Sequence, residues 1–174
     1  MSNNSQKKEA YSLKELSLTD GQDVYEMLQA LPAEENGFEN NFYGMTFTEF
    51  QQALKLKDNE SRGINLQEGR VPQTLYWFYV NDKPVGMVKL RHYLNDALKV
   101  RGGNIGYAVI PAEQGRGYAT KMVGLALEKA KKMGIKEVLI TCDPDNIASI
   151  KVIEKNRGKL QKTSENELYY TIST

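Results

Sequence analysis

Glycine spacing between an apolar strand and a helical pattern makes the stretch IGYAVIPAEQGRGYAT, Ile105 to Thr120, the part of this chain best suited to hold an anion. Ile105, Tyr107 and Val109 alternate as one face of a strand, and Pro111, which has no backbone N–H, cannot continue a ladder. Gly115 and Gly117 lack Cβ atoms, so their amides can come close to a bulky phosphate. A helix expected to start near Tyr118 adds unpaired N–H groups and the positive end of its dipole. The ligand this pattern predicts is a phosphate or pyrophosphate.

Spacing separates three such designs. A P-loop needs Gly-Lys-Ser/Thr, and the chain contains no match. A dinucleotide fingerprint begun at Gly115 and Gly117 would put its third glycine at Thr120, and Asp143 falls later than the ribose acid does. The pattern Gln-x-x-Gly-x-Ala is met by Gln114, Gly117 and Ala119, and here the chain resembles the coenzyme A signature of the GNAT superfamily of N-acetyltransferases. The order that follows fits the resemblance. Val123, Leu125, Leu127 and Ala130 give the next helix an apolar face, and Gly134 stops it. Val138 to Thr141 reads as a short strand, Asp143 to Asn146 as a turn, and Ile147, Ile150, Val152 and Ile153 as an Asn-led helix.

The resemblance covers residues 104–160. It implies a mixed α/β fold, with a central, mostly antiparallel sheet splayed in the middle and flanked by helices. It also implies acetyl transfer from acetyl-CoA to a primary amine of a small molecule or peptide, by direct attack in a ternary complex, without a metal. The different-class alternative is a non-catalytic acyl-CoA-binding sensor or regulatory module. Carried over to this sequence, the amides from Gly115 through Tyr118 and Ala119 to Thr120 would hold the pyrophosphate, helped by the Thr120 hydroxyl and by the Arg116 guanidinium, which otherwise reads as a solvated side chain. Main-chain groups of Val109 and Ile110 would pair with pantetheine, and Asn146, with Ser149 after it, would reach the pantetheine arm. Asn146 can equally serve only as a helix cap.

Two expected catalytic positions depart from the family pattern. A carboxylate base is often found early in the strand before the loop, where this chain has Gly102, Gly103 and Asn104. The tyrosine that protonates the leaving thiolate, seven residues after the asparagine, is Ile153. His92, the only histidine, and Tyr107 are the substitutes nominated for proton transfer. Tyr169 and Tyr170 point to opposite strand faces, so at most one can reach the site. Cys142 reads as a small buried hydrophobe rather than a nucleophile. For the acceptor, the loop Pro32 to Gly44 supplies Glu34, Glu35 and Phe38, acids and an aromatic that suit a cationic amine, although a solvated loop folding over its own aromatics reads equally well. Arg91 is a candidate to orient an acceptor carboxylate, or else a surface ion-pair partner.

The elements that must position these residues fit one domain. At 174 residues and net charge +1, the chain can bury about 70% of its unfolded surface, and no basic run argues for nucleic acid or a membrane surface. Residues 1–10 read as a disordered tail and 11–174 as a single domain. Asp20 is expected to cap a helix using Val24, Met27 and Leu28, Thr46 and Glu49 match a capping box, and Thr74 to Val80 with Val85 to His92 reads as a hairpin. Tyr11 to Leu18 and Leu168 to Ile172 read as first and closing strands, and Leu94 to Gly103 as an irregular link. The polar opening MSNNSQKKEA has no apolar leader core, one cysteine makes no internal disulfide, and no Cys/His cluster has zinc spacing. A cytoplasmic protein is expected, and homodimerisation is compatible with the resemblance.

Overall fold

The computed structural model describes residues 8–174. Its elements in chain order are β1 (Tyr11–Glu15), α1 (Gln22–Ala30), β2 (Glu34–Glu35), β3 (Phe38–Glu39), α2 (Phe47–Ser61), β4 (Gln73–Val80), β5 (Lys83–Arg91), α3 (Asp96–Val100), β6 (Ile105–Val109), α4 (Tyr118–Lys132), β7 (Glu137–Cys142), α5 (Ile147–Lys155), β8 (Lys159–Thr163) and β9 (Leu168–Ser173). A 3₁₀ turn over Pro111–Glu113 leads from β6 into the glycine loop.

Strands pair antiparallel in two main sheets, β1-β4-β5-β6 and β7-β9-β8. β4 and β5 read as nearly continuous apolar runs because both of their faces are covered. On one face Trp77 meets Phe42 and donates to Asp20 at 2.6 Å, beside α1 and α2. On the other, Phe78 packs against Tyr118 of α4, and Tyr76 lies under Lys129 of the same helix. Burying these aromatics and aliphatics stabilises the fold by about 25 cal/mol per Å² of apolar surface removed from water.

Among the described residues, the backbone hydrogen bonds between the two sheets lie at the foot of β6 and β7. Asn104 donates its backbone N–H to Leu139 O at 2.7 Å and accepts Leu139 N–H on its side chain at 2.9 Å. Past that staple no ladder joins β6 to β7 among the described residues, so the sheet splays. Gly103 permits the close approach: at φ +59°, a Cβ there would lie 2.3 Å from Leu139 O.

Several local expectations are corrected. Asp20 does not cap α1; Gly21 is the N-cap, while Asp20 is drawn to Trp77 and the Ser17 amide. The segment Pro32 to Gly44 contains the tight hairpin β2–β3, turned by Asn36 and Gly37, both at positive φ. The irregular link after β5 contains α3, capped by Asn95. Of the expected tail, residues 1–7 lie outside the described residues, while Glu9 accepts from the Tyr11 and Tyr118 hydroxyls and Ala10 pairs with Asn81. Among the described residues no helix is long and apolar enough to cross a membrane.

Candidate active site

Gly115 and Gly117 both adopt left-handed backbone, φ +75° and +78°, and Gly117 is the N-cap of α4. No hydrogen bond among the described residues engages the N–H of any residue from Gly115 to Thr120. Nothing lies within 4 Å of where a Cβ would stand at either glycine, so the conformation serves no internal packing. A row of unpaired amides at a helix start, open on its outer side, fits a pyrophosphate.

From this loop a cleft of about 1220 Å³ runs along the β6–β7 gap to the β2–β3 hairpin and the end of β5. It thus has an anion-binding end and, past the splay, a second compartment. Gln114, Gly115, Gly117, Tyr118, Ala119 and Thr120 line the first end, and Asn146 and Ser149 of α5 line the middle. Arg116 is absent from the lining. It turns outward to pair with Glu113 at 2.5 Å, so the expected phosphate contact is not formed by this conformation.

Backbone polarity along β6 also needs correction. Ile110 donates to Val85 O at 2.9 Å, so its main chain faces β5. Alternation in an antiparallel ladder then turns the backbone groups of Tyr107 and Val109 toward the splay. Tyr107, rather than Ile110, joins Val109 as the available edge. Val109 O already accepts Gln114 Nε2 at 3.0 Å, which braces the glycine loop against the strand.

At the gap, the Tyr107 hydroxyl lies 2.6 Å from Ser149 Oγ. Burial pushes this phenol up to about 12, so it remains a proton donor at neutral pH. Asn146 caps α5 by accepting the Ser149 N–H at 3.1 Å, and it also lines the cleft, so cap and lining coexist. Cys142 is buried, and burial raises its thiol to about 11.

His92 is not brought to the site. Side chains alternate along β5, and His92 falls on the α4 face, where Nε2 lies 2.8 Å from Thr74 Oγ1. Lys89 and Arg91 fall on the other face and line the second compartment. Lys89 was not legible as a functional residue. It is 7% exposed, donates Nζ to Glu39 O and sits 4.8 Å from the Phe38 ring centroid. Burial, reinforced by Arg91, lowers its pKa to about 8. The signal was present as a lone lysine inside the apolar run VGMVKL.

Arg91 donates Nη1 to the carbonyls of Gly102 and Gly103, each at 3.1 Å. Those glycines stand where a carboxylate was sought, and here they seat a cation instead. Glu34 accepts the Gly37 amide at 2.7 Å and does not line the cleft. Glu35 lines it, but its carboxylate accepts Gln114 Nε2 at 3.2 Å, tying the hairpin to the glycine loop. Both carboxylates thus accept a neutral N–H donor within the hairpin and glycine loop, and only Glu35 of the two lines the cleft. Glu167, also missed, lines the cleft with Oε1 on Arg101 at 3.1 Å and Oε2 buried without a partner. Among the described residues no cluster of three or more His, Cys, Asp or Glu could hold a metal.

A sheet splayed around a through-cleft, with an amide-lined glycine loop at one end, is the mixed α/β arrangement that the sequence resemblance implies. The family model described as an acetyltransferase (GNAT) domain matches residues 13–159, and the chain belongs to that family. Solved structures share the fold. RimL, a ribosomal L7/L12 alpha-N-protein acetyltransferase in complex with coenzyme A, aligns at TM-score 0.69 and 15% identity, covering 94% of this chain and 93% of its own. The ribosomal-protein-S5-alanine acetyltransferase of Vibrio fischeri gives 0.67 and 14%, over 94% and 92%. The Campylobacter jejuni N-acetyltransferase PseH, in complex with acetyl coenzyme A, gives 0.61 and 9%, over 95% and 99%. No curated protein sequence matches significantly.

Proposed function

We propose that this chain is an N-acetyltransferase that moves acetyl from acetyl-CoA to a primary amine of a small molecule or peptide by direct attack in a ternary complex. The observation that carries the reading is the row of unengaged amides from Gly115 to Thr120, opening into a cleft that continues through the sheet to a second compartment. These amides hold the pyrophosphate, and the outward main chain of Tyr107 and Val109 pairs with pantetheine as a strand would. The acetyl-CoA complex of PseH and the coenzyme A complex of RimL accord with this.

The two ends supply different proton chemistry. Lys89 reaches the second compartment from one face of the sheet, and the Tyr107 hydroxyl sits by α5 on the opposite face. An acceptor ammonium, of pKa near ~10, must first lose a proton, which Lys89 in its neutral form accepts. The amine nitrogen then bonds to the thioester carbonyl carbon, the C–S bond breaks as the tetrahedral intermediate collapses, and the departing sulfur takes the Tyr107 proton. The second proton shed by the attacking nitrogen returns to the Tyr107 oxygen, so that the products are the amide, free coenzyme A thiol and protonated Lys89. The thiol of Cys142, raised by burial, has no part in this route.

The test is release of free coenzyme A with a mass gain of acetyl on the acceptor, across a broad amine panel. Turnover requiring both acetyl-CoA and an amine is expected. Acetyl-CoA binding with no acetylated product from any amine would replace this reading with a non-catalytic acyl-CoA sensor.

A further inference from the structure

The second compartment of the cleft is cationic, opposite in sign to what a simple cationic acceptor would need. Arg70, Lys89 and Arg91 all line it, and burial of Lys89 and Arg91 is worsened by their mutual repulsion and by Arg70. Nearby charges do not cancel them. Lys57 is already paired with Glu60 at 2.9 Å and Arg101 with Glu167, while Glu35 keeps its charge but is held at the glycine-loop side of the hairpin by the neutral Gln114 amide. Glu39 is the carboxylate that acts on Lys89 and Arg91, and with Glu35 it leaves two acids against three cations; Glu39 forms no side-chain hydrogen bond among the described residues. Buried cations that outnumber their counter-ions and form no ion pair among the described residues are expensive, and an arriving anion relieves that cost.

Arg91 also has the geometry to read one anion shape. Its Nη1 is fixed by two carbonyls, whereas Nε and Nη2 make no hydrogen bond among the described residues. These nitrogens are not sealed off from solvent either, since Glu167 Oε2 alone is both buried and unpartnered there. The free Nε–Nη2 edge offers two parallel donors, the arrangement that matches a carboxylate. Arg70, exposed at the cleft mouth, adds a charge without a fixed direction.

Resting on the acetyltransferase reading above, we infer that the acceptor is an amine that also carries a carboxylate, and that this carboxylate docks on the free edge of Arg91 with Arg70 beside it. The hairpin acids then act as struts, and specificity comes from the cations. Either a free amino acid or a short peptide with an acidic residue near its amino end presents this chemistry.

The experiment compares matched acceptors, each acid with its own carboxamide. One arm uses α-, β- and ω-amino acids, and the other uses short peptides with Asp or Glu at the second position. In the arm that contains the acceptor class, the acid should exceed its carboxamide at least tenfold in kcat/KM, chiefly through KM. Arg91→Gln should bring that ratio to within about twofold of one, with acetyl-CoA affinity and melting temperature measured alongside. Arg70→Gln, which removes no internal hydrogen bond, should lower the ratio by a smaller factor that fades with added salt, and it decides the matter if Arg91→Gln does not fold. Carboxamides acetylated as well as acids, or a ratio unmoved in a folded Arg91→Gln or in Arg70→Gln, would overturn the inference and leave the acetyltransferase reading standing. No turnover of any amine would overturn both.

Discussion

Tyr107 and Lys89 are neighbours across the β5–β6 ladder in function but not in face, and each is tuned by what buries it. The phenol, pushed to about 12 by burial, keeps its proton, whereas burial lowers the Lys89 ammonium to about 8, so that a fraction is neutral near physiological pH. Tyr107→Phe should therefore lower kcat about 100-fold, with acetyl-CoA affinity nearly unchanged because the pantetheine contacts proposed there are main-chain. An affinity loss matching the kcat loss would show that the hydroxyl serves binding instead. If Lys89 is the proton acceptor, kcat/KM at subsaturating acceptor should rise with pH through about 8, and Lys89→Met should lose that limb. Cys142 provides the contrast: burial raises its thiol to about 11, leaving little thiolate. Cys142→Ala should retain most turnover, and no acetyl adduct should appear on Cys142 by mass spectrometry when acetyl-CoA is supplied alone. An adduct there would reverse the direct-attack reading.

The element that does most for the site is the unit β6, glycine loop and α4, where a strand end, two left-handed glycines and a helix start converge. Gly117→Val should weaken acetyl-CoA binding at least tenfold by calorimetry, about 1.4 kcal/mol. Since no protein atom lies within 4 Å of that Cβ position, the loss would come from φ +78° and from obstruction of the ligand, not from internal clash. Unchanged affinity in a folded variant would sink the pyrophosphate assignment. This unit was legible because local rules write it: alternation, proline, glycine spacing and helical periodicity all act within a few residues. So was the Thr46–Glu49 capping box, which forms with both of its reciprocal bonds. β8 was missed because Lys159–Thr163 is exposed throughout, and its strand state comes from pairing with β9 rather than from a buried face. The β2–β3 hairpin had a usable signal in Asn36-Gly37, outweighed by the length of the loop around it. Misreadings at His92, Arg116 and Ile110 share one cause. Their positions along the chain were sound, but which way a side chain or amide faces depends on ladder parity and on competing partners, Thr74, Glu113 and Val85 respectively. Lys89 escaped notice because its chemistry comes from burial by the hairpin, a tertiary fact.

Across the whole molecule, the cleft exists because two sheets are stapled at Asn104 and then left to diverge, and that opening places a cation in a site water barely reaches. Lys89 should accordingly lower global stability at neutral pH. Its folded pKa is about 8 against an ordinary value of 10.5, so between those values the unfolded chain binds more protons than the folded one. Stability from this group then rises as pH increases from about 8 to 10.5, is fully present above 10.5, and is lost as pH falls through 8. The span corresponds to at most about 3.5 kcal/mol at ~1.4 kcal/mol per pKa unit, before any discount for residual solvation. Lys89→Met, which removes the ammonium while keeping the stem's packing, should be more stable than the unaltered chain at pH 7 by about 1–3 kcal/mol, with the gap closing toward pH 10.5. Urea midpoints for both proteins at pH 7 and 10 measure it, and the high-pH tyrosines cancel in the difference because both chains carry them. A gap that stays constant with pH would mean that the ammonium is comfortably solvated. That result would remove Lys89 as a low-pKa proton acceptor, while leaving the amide-lined loop and its cofactor assignment untouched.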